Sequence, residues 1–111
     1  MSRNVAATLR KGAPVFAALG DETRLRLLSK LSAGGPLSIT QLADGEAVTR
    51  QAITKHLGVL AEAGLVRDAR AGRERRWELE LASIEAARGC LDLVAQRWDD
   101  RLARLKKFVE D

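Results

Sequence analysis

Arg50, Gln51, Thr54 and Lys55 are the side chains best placed to do chemistry with another molecule. They are four hydrogen-bond donors within six positions, with no carboxylate among them. Gln can pair bidentately with adenine and Arg with guanine, while Lys and Thr serve a base edge or a phosphate oxygen. Arg50 and Gln51 are expected to carry more of any sequence reading. Thr49, just before them, is the hydroxyl that caps the helix and is counted with them as a DNA contact. The other side of the same stretch carries Ile53, Leu57, Leu60 and Ala61 at the spacing of a buried helical stripe. Gly64 stops it. One face is apolar and the other polar and cationic, which is the pattern of a helix laid in a DNA groove.

Such a helix needs a platform. Asp21 reads as the N-cap of a helix from Glu22 to Ala33, with Leu25, Leu27, Leu28 and Leu31 as its buried stripe. Gly34, Gly35 and Pro36 end it. Ser38, with Gln41 three residues on, gives a capping box for a short helix reaching Ala43. Asp44 and Gly45 then turn the chain toward Thr49. Two helices joined by so tight a turn form a helix-turn-helix. The N-terminal stretch from Asn4 to Leu19 is also helical, with Gly12 and Pro14 expected to break it into an arm and a shorter second piece.

Beyond Gly64 the period becomes two-fold. Leu65–Arg70 and Arg75–Leu81 are expected as strands, with Trp77, Leu79 and Leu81 on one face and Arg76, Glu78 and Glu80 on the other. The residues 71–74 between them form a hairpin turn around Gly72. Five arginines between Leu65 and Arg76 face only Asp68 and Glu74, so the hairpin is a basic wing. Arg73 and Arg75 near its tip are expected to reach phosphate or the minor groove.

From Ser83 to Asp111 the chain reads as one long helix. Its stripe of Leu91, Val94, Trp98, Leu102, Leu105 and Val109 outlasts anything the core needs. The same helix of a second subunit is the expected partner, together with the N-terminal arm. The fold class is therefore mainly α with a small β-hairpin: a winged helix-turn-helix with a long C-terminal dimerisation helix. A single domain spans residues 1–111, with a core at about 14–81, an arm at 1–13 and the terminal helix at 83–111.

Bulk properties are compatible with this reading. A chain of 111 residues is normally one domain, and its net charge of +4 and pI near 9.8 lean toward an anionic partner. No signal peptide or membrane span is visible, and one cysteine rules out an intrachain disulfide. A cytoplasmic, membrane-free setting is expected. No phosphate loop, carboxylate pair or nucleophile with a base is present, so the chain is not expected to be an enzyme and needs no cofactor. His56, the sole histidine, has no acidic or nucleophilic partner in the adjacent turns and is read as structural or phosphate-contacting. Cys90 is read as a small buried hydrophobe, the alternative being a redox-sensing thiol, since Arg88 nearby would favour thiolate.

Taken in order, FAALGDETRLRLL from Phe16 to Leu28, LSITQLA from Leu37 to Ala43, TRQAITKHLGVL from Thr49 to Leu60 and AGLV from Ala63 to Val66 give the chain a specific likeness. It resembles the ArsR/SmtB family of winged-helix repressors over nearly its full length. The resemblance implies a homodimeric repressor that occludes a promoter at a pseudo-palindromic operator and releases it when an effector binds, the effector here being unidentified. Metal-sensing members carry a Cys-x-Cys pair in the first helix of the helix-turn-helix, or His and carboxylates on the terminal helix. Here residues 37–44 hold neither Cys nor His, and the terminal helix holds no His. Metal is therefore not expected. The ending RWDDRLARLKKF from Arg97 to Phe108 resembles that of a metal-independent subgroup. The competing reading is a winged-helix module that binds protein and not specific DNA, which the cationic face of the 49–62 helix argues against.

Overall fold

The computed structural model describes residues 2–70 and 72–110. Among the described residues five helices and three short strands follow in order: α1 (Arg3–Leu19), α2 (Glu22–Gly34), β1 (Leu37–Ser38), α3 (Ile39–Ala43), α4 (Arg50–Glu62), β2 (Val66–Asp68), β3 (Arg76–Leu79) and α5 (Leu81–Glu110). The expected caps are present. Asp21 accepts from the Arg24 N–H at 3.0 Å, Thr49 from the Ala52 N–H at 3.1 Å, and Ser38 and Gln41 close a reciprocal capping box. Each satisfies a helix-end N–H that would otherwise lack an intrahelical partner.

α1 differs from expectation because it runs unbroken through Gly12 and Pro14. Proline at position 14 forfeits one N–H bond, but packing against α5 holds the helix together. Gly12 is the contact point. A Cβ there would fall 2.1 Å from Cys90 Sγ, so only a glycine lets the two helices approach this closely. The residues expected as an arm are thus part of a packed helix; Met1 lies outside the described residues.

The core centres on Leu27, Leu42, Ile53, Leu57, Leu60 and Leu65, all fully buried, with Trp77 and Val66 closing it from the sheet. Leu25 is a correction, being 49% exposed. It lies more than a quarter turn from the centre of the Leu27, Leu28 and Leu31 stripe, and the residue sharing that stripe is Arg24.

The sheet has the order β1-β3-β2, antiparallel throughout. Val66 pairs with Leu79 and Asp68 with Trp77, as a hairpin requires, while β1 adds Leu37 opposite Trp77. That third strand was not expected. The strands are shorter than the sequence pattern suggests, and Leu81 is a second correction, since it opens α5 and is exposed. In the hairpin turn Gly72 has φ +64°, and the expected turn residue Ala71 lies outside the described residues. Gly64, at φ +75°, turns the chain from α4 into the sheet. Its bare Cα leaves room for the Ser83 hydroxyl, which donates to the Ala63 carbonyl at 3.0 Å and ties the start of α5 to the end of α4.

α5 is thirty residues long. Its first third is covered by α1, burying Ala87 and Cys90, and every residue from Val94 to Glu110 is exposed. The final residue of the expected helix, Asp111, is outside the described residues. Among the described residues no helix is long and apolar enough to cross a membrane.

Candidate nucleic-acid interface

α4 carries its expected contacts on the surface. Arg50, Gln51, Thr54 and Lys55 are exposed, while Ile53, Leu57 and Leu60 anchor the opposite side. The Thr54 hydroxyl donates to the Arg50 carbonyl at 3.0 Å and the Thr49 hydroxyl is spent as an acceptor in the cap. Both retain only part of their capacity for a ligand. Arg50 and Lys55 form no ion pair among the described residues, so their charges stand free on the surface.

Two clamps that sequence reasoning missed hold α4 in place. The first is in the turn before it. Glu46 has a side chain only 3% exposed, receiving Arg26 Nε at 3.0 Å and Lys30 Nζ at 3.1 Å. Lys30 also donates to the carbonyls of Leu42 and Asp44, at 2.9 and 2.7 Å, and so draws α2, the end of α3 and the turn onto one ammonium. The Arg26 hydrogen bond, followed by that from Lys30, holds the Glu46 carboxyl below the usual carboxylate range.

The second clamp is Arg24. Its Nε donates to the Ala18 carbonyl at 2.5 Å, its Nη2 to Ala17 at 3.5 Å, and its Nη1 lies 3.3 Å from His56 Nδ1. Guanidinium can only donate, so Nδ1 is the acceptor and the imidazole proton belongs on Nε2. One arginine therefore joins the end of α1 to α4. A signal for it was present in the sequence: Arg24 sits at helical spacing with Leu27, Leu28 and Leu31, a cation on a core-facing stripe. Asp21 beneath it has its carboxyl lowered, first by the Arg24 backbone N–H it caps.

The wing is basic but largely self-neutralised. Arg67 binds Glu78 at 2.5 Å and Glu80 at 3.1 Å, with Glu78 the main cause of its raised pKa. Arg76 binds Glu74 at 3.0 Å. Arg75 binds Asp68 at 2.9 Å and lies over the Trp77 ring at 4.4 Å, while Arg70 stands 3.9 Å from the same Asp68. Arg73 alone of the wing arginines has no ion pair among the described residues. Of the two tip residues expected to reach DNA, Arg73 is free and Arg75 is engaged.

Cys90 is 5% exposed, and its thiol donates to the Thr8 carbonyl at 3.1 Å across the α1–α5 contact. It lies on the far side of α1 from the interface. Among the described residues no three His, Cys, Asp or Glu side chains gather as metal ligands would.

Comparison with known proteins fits this arrangement. A family model described as a helix-turn-helix domain matches residues 19–69, which run from the end of α1 through β2. The HTH-type transcriptional regulator Rv2034 of Mycobacterium tuberculosis is 38% identical over 86 residues, covering 78% of this chain and 79% of that protein. An ArsR-like transcriptional regulator from Rhodococcus sp. RHA1 superposes with a TM-score of 0.76 at 40% identity, over 92% of this chain and 95% of that one. The chain belongs to the ArsR family. A homodimeric winged helix-turn-helix DNA-binding domain from Mycobacterium bovis, Mb0332, a possible ArsR-family regulator, aligns with a TM-score of 0.62 at 27% identity, covering 94% and 93% of the two chains.

ArsR membership makes the protein a transcriptional regulator and not an enzyme. It also gives the parts their roles in DNA-binding regulation, with α3 and α4 as the helix-turn-helix and β2–β3 as the wing.

Proposed function

We propose that this ArsR-family chain works as a homodimeric repressor, occluding a promoter at a pseudo-palindromic operator. Each α4 lies in a major groove, with half-sites spaced roughly 34–36 Å or a multiple. Arg50 and Gln51 read base edges, Thr49, Thr54 and Lys55 hold bases or phosphates, and Arg73, with Arg75 behind it, reaches the backbone beside the groove. The observation that carries the reading is the pair of charges on α4, exposed, without an ion pair among the described residues and held at fixed pitch by the core and two clamps. The exposed stripe of Leu91, Val94, Trp98, Leu102, Leu105 and Val109 supports the dimer, for an apolar face of that length on a monomer needs cover.

Fluorescence anisotropy tests this, with DNA from upstream of the protein's own gene against a scrambled duplex at several salt concentrations. Tight binding to the first at two chains per site, falling steeply with salt, is expected. Equal and weak binding to both would overturn operator recognition at that site.

A further inference from the structure

Gly12, Gly58 and Gly89 lie inside helices, where glycine is less favourable than alanine. Two of them answer to a neighbour. Gly12 is pressed against Cys90, and a Cβ on Gly89 would meet Thr8 Cγ2 at 4.0 Å, both across the α1–α5 contact. Gly58 answers to nothing in its own chain. Apart from its chain neighbours and the backbone of α4, a Cβ there would meet no atom within 4 Å, and its φ is not positive. The fold would accept an alanine at position 58 and gain from it.

The position on α4 supplies the reason that the fold does not. At about 100° per residue, Gly58 falls between Thr54 and Gln51, near the middle of the arc that also holds Arg50 and Lys55. Ile53, Leu57 and Leu60 are buried on the opposite side. Thr54 and Lys55 lie one turn before Gly58 and Glu62 one turn beyond it, all exposed, and none of their side chains comes within 4 Å of a Cβ at 58. The donor-bearing turns of α4 are thus followed by a bare strip of backbone. A helix whose first turns enter a groove meets the groove wall further along, and the side chain at that point limits how closely it approaches. Glu62 decides which part of the wall lies there. Its carboxylate would repel a phosphate, so the group against Gly58 is an uncharged deoxyribose, with the nearest phosphate on the Lys55 side.

We propose that Gly58 is a positioning residue for operator reading: a deoxyribose of the groove wall packs on the bare backbone of α4, and this close approach brings Arg50 and Gln51 within hydrogen-bond reach of base edges. The inference rests on the DNA-binding reading above and adds the residue that sets how deeply α4 enters the groove. Non-specific binding depends on charge and needs no such depth. A side chain at position 58 should therefore cost operator affinity and spare affinity for unrelated DNA.

The test compares the parent chain with Gly58→Ala and Gly58→Leu, both introducing good helix formers, and with Gly34→Ala, whose Cβ also faces open space but at the last residue of α2. Thermal unfolding and fluorescence anisotropy on operator and scrambled duplex are read for each. Gly58→Ala should unfold about 4–8 °C higher than the parent yet bind the operator roughly 10-fold more weakly, with affinity for scrambled DNA and its salt dependence unchanged. Gly58→Leu should bind the operator more weakly still, and Gly34→Ala as the parent does. Stability gained while operator affinity is lost is a result that a merely structural glycine does not give. A Gly58→Ala protein that holds the operator as tightly as the parent, or one that unfolds at a lower temperature, would overturn the positioning role while leaving operator recognition intact. A parent that does not distinguish operator from scrambled duplex would overturn both.

Discussion

The recognition helix and the wing are both rich in cations, yet they use them in opposite ways. On α4, Arg50 and Lys55 stand without ion pairs among the described residues, and the helix is held from behind by Ile53, Leu57 and Leu60 and by the Arg24 and Glu46 clamps. In the wing, Arg67, Arg70, Arg75 and Arg76 all lie within ion-pair distance of carboxylates of the same hairpin. A three-strand sheet whose strands span two to four residues has little backbone pairing to rely on, and its arginines bind the hairpin together. Counting basic residues would rank the wing first as a DNA surface. Counting free charge reverses the order: affinity comes from cations that can give up counterions to phosphate, and one already paired with a carboxylate has less to give.

The largest effect is expected at the recognition helix. Arg50→Ala should cost about 1–3 kcal/mol of operator binding and relax base preference at one position per half-site. Anisotropy with a panel of single-base operator variants checks both. If the same change lowered affinity for every duplex equally, Arg50 would be a phosphate contact and the contrast with the wing would shrink.

Glu46→Gln tests the support behind α4. Replacing a nearly buried carboxylate that receives two cations should destabilise the fold by about 1–3 kcal/mol, read from urea unfolding at neutral pH. The Glu46 carboxyl is held below its ordinary value, so the folded state binds its proton less readily than the unfolded chain. Its stabilising contribution is complete above the ordinary carboxylate value of the unfolded chain and is lost as the pH falls through the lower folded value. The gap between parent and variant should therefore close on acidification. A gap that stayed constant down to the acid transition would mean that the clamp acts through shape and not charge.

How much of this was readable beforehand depended on the range of the interaction. Caps at Asp21, Ser38 and Thr49 were legible because each is settled within four residues, and the α4 stripe because its anchors repeat at helical period. The continuity of α1 was not. Local propensity at Gly12 and Pro14 argued for a break, and only the approach of Cys90, 78 positions away, explains why the glycine is needed and the helix persists. β1 is two residues long and gives no periodic signal; its pairing with β3 exists only once the chain has folded back. At the site, residue types on α4 were enough to propose contacts, but the ion pairs that engage Arg67 and Arg75 cross the hairpin and depend on strand register, in which Arg67 opposes Glu78. Arg24 was legible in principle as a charge on an apolar stripe, whereas Glu46 sits in a turn, where neighbouring sequence says little about burial.

Within the wing, the free and engaged arginines should behave differently. Arg73→Ala should lower affinity several-fold without altering sequence preference and reduce the salt slope by about one per wing that contacts DNA. Arg75→Ala should do less, because its guanidinium is shared with Asp68 and stacked on Trp77. Equal losses at both positions would show that DNA draws Arg75 out of its pair.

The smallest effect is the sharpest test of the contrast, because its sign is unusual. Asp68 sits within ion-pair distance of both Arg75 and Arg70, at 2.9 and 3.9 Å, so Asp68→Asn removes one negative charge and releases two cations at the wing. Exposed pairs of this kind contribute roughly 0.2–1 kcal/mol to stability, so the hairpin should survive the change. If paired arginines are withheld from DNA, the variant should bind scrambled duplex more tightly and with a steeper salt dependence, gaining little for the operator relative to scrambled DNA. A loss of binding would reverse the interpretation. Asp68 would then be holding Arg75 in the pose that meets phosphate, and the ion pairs of the wing would be part of its reading surface.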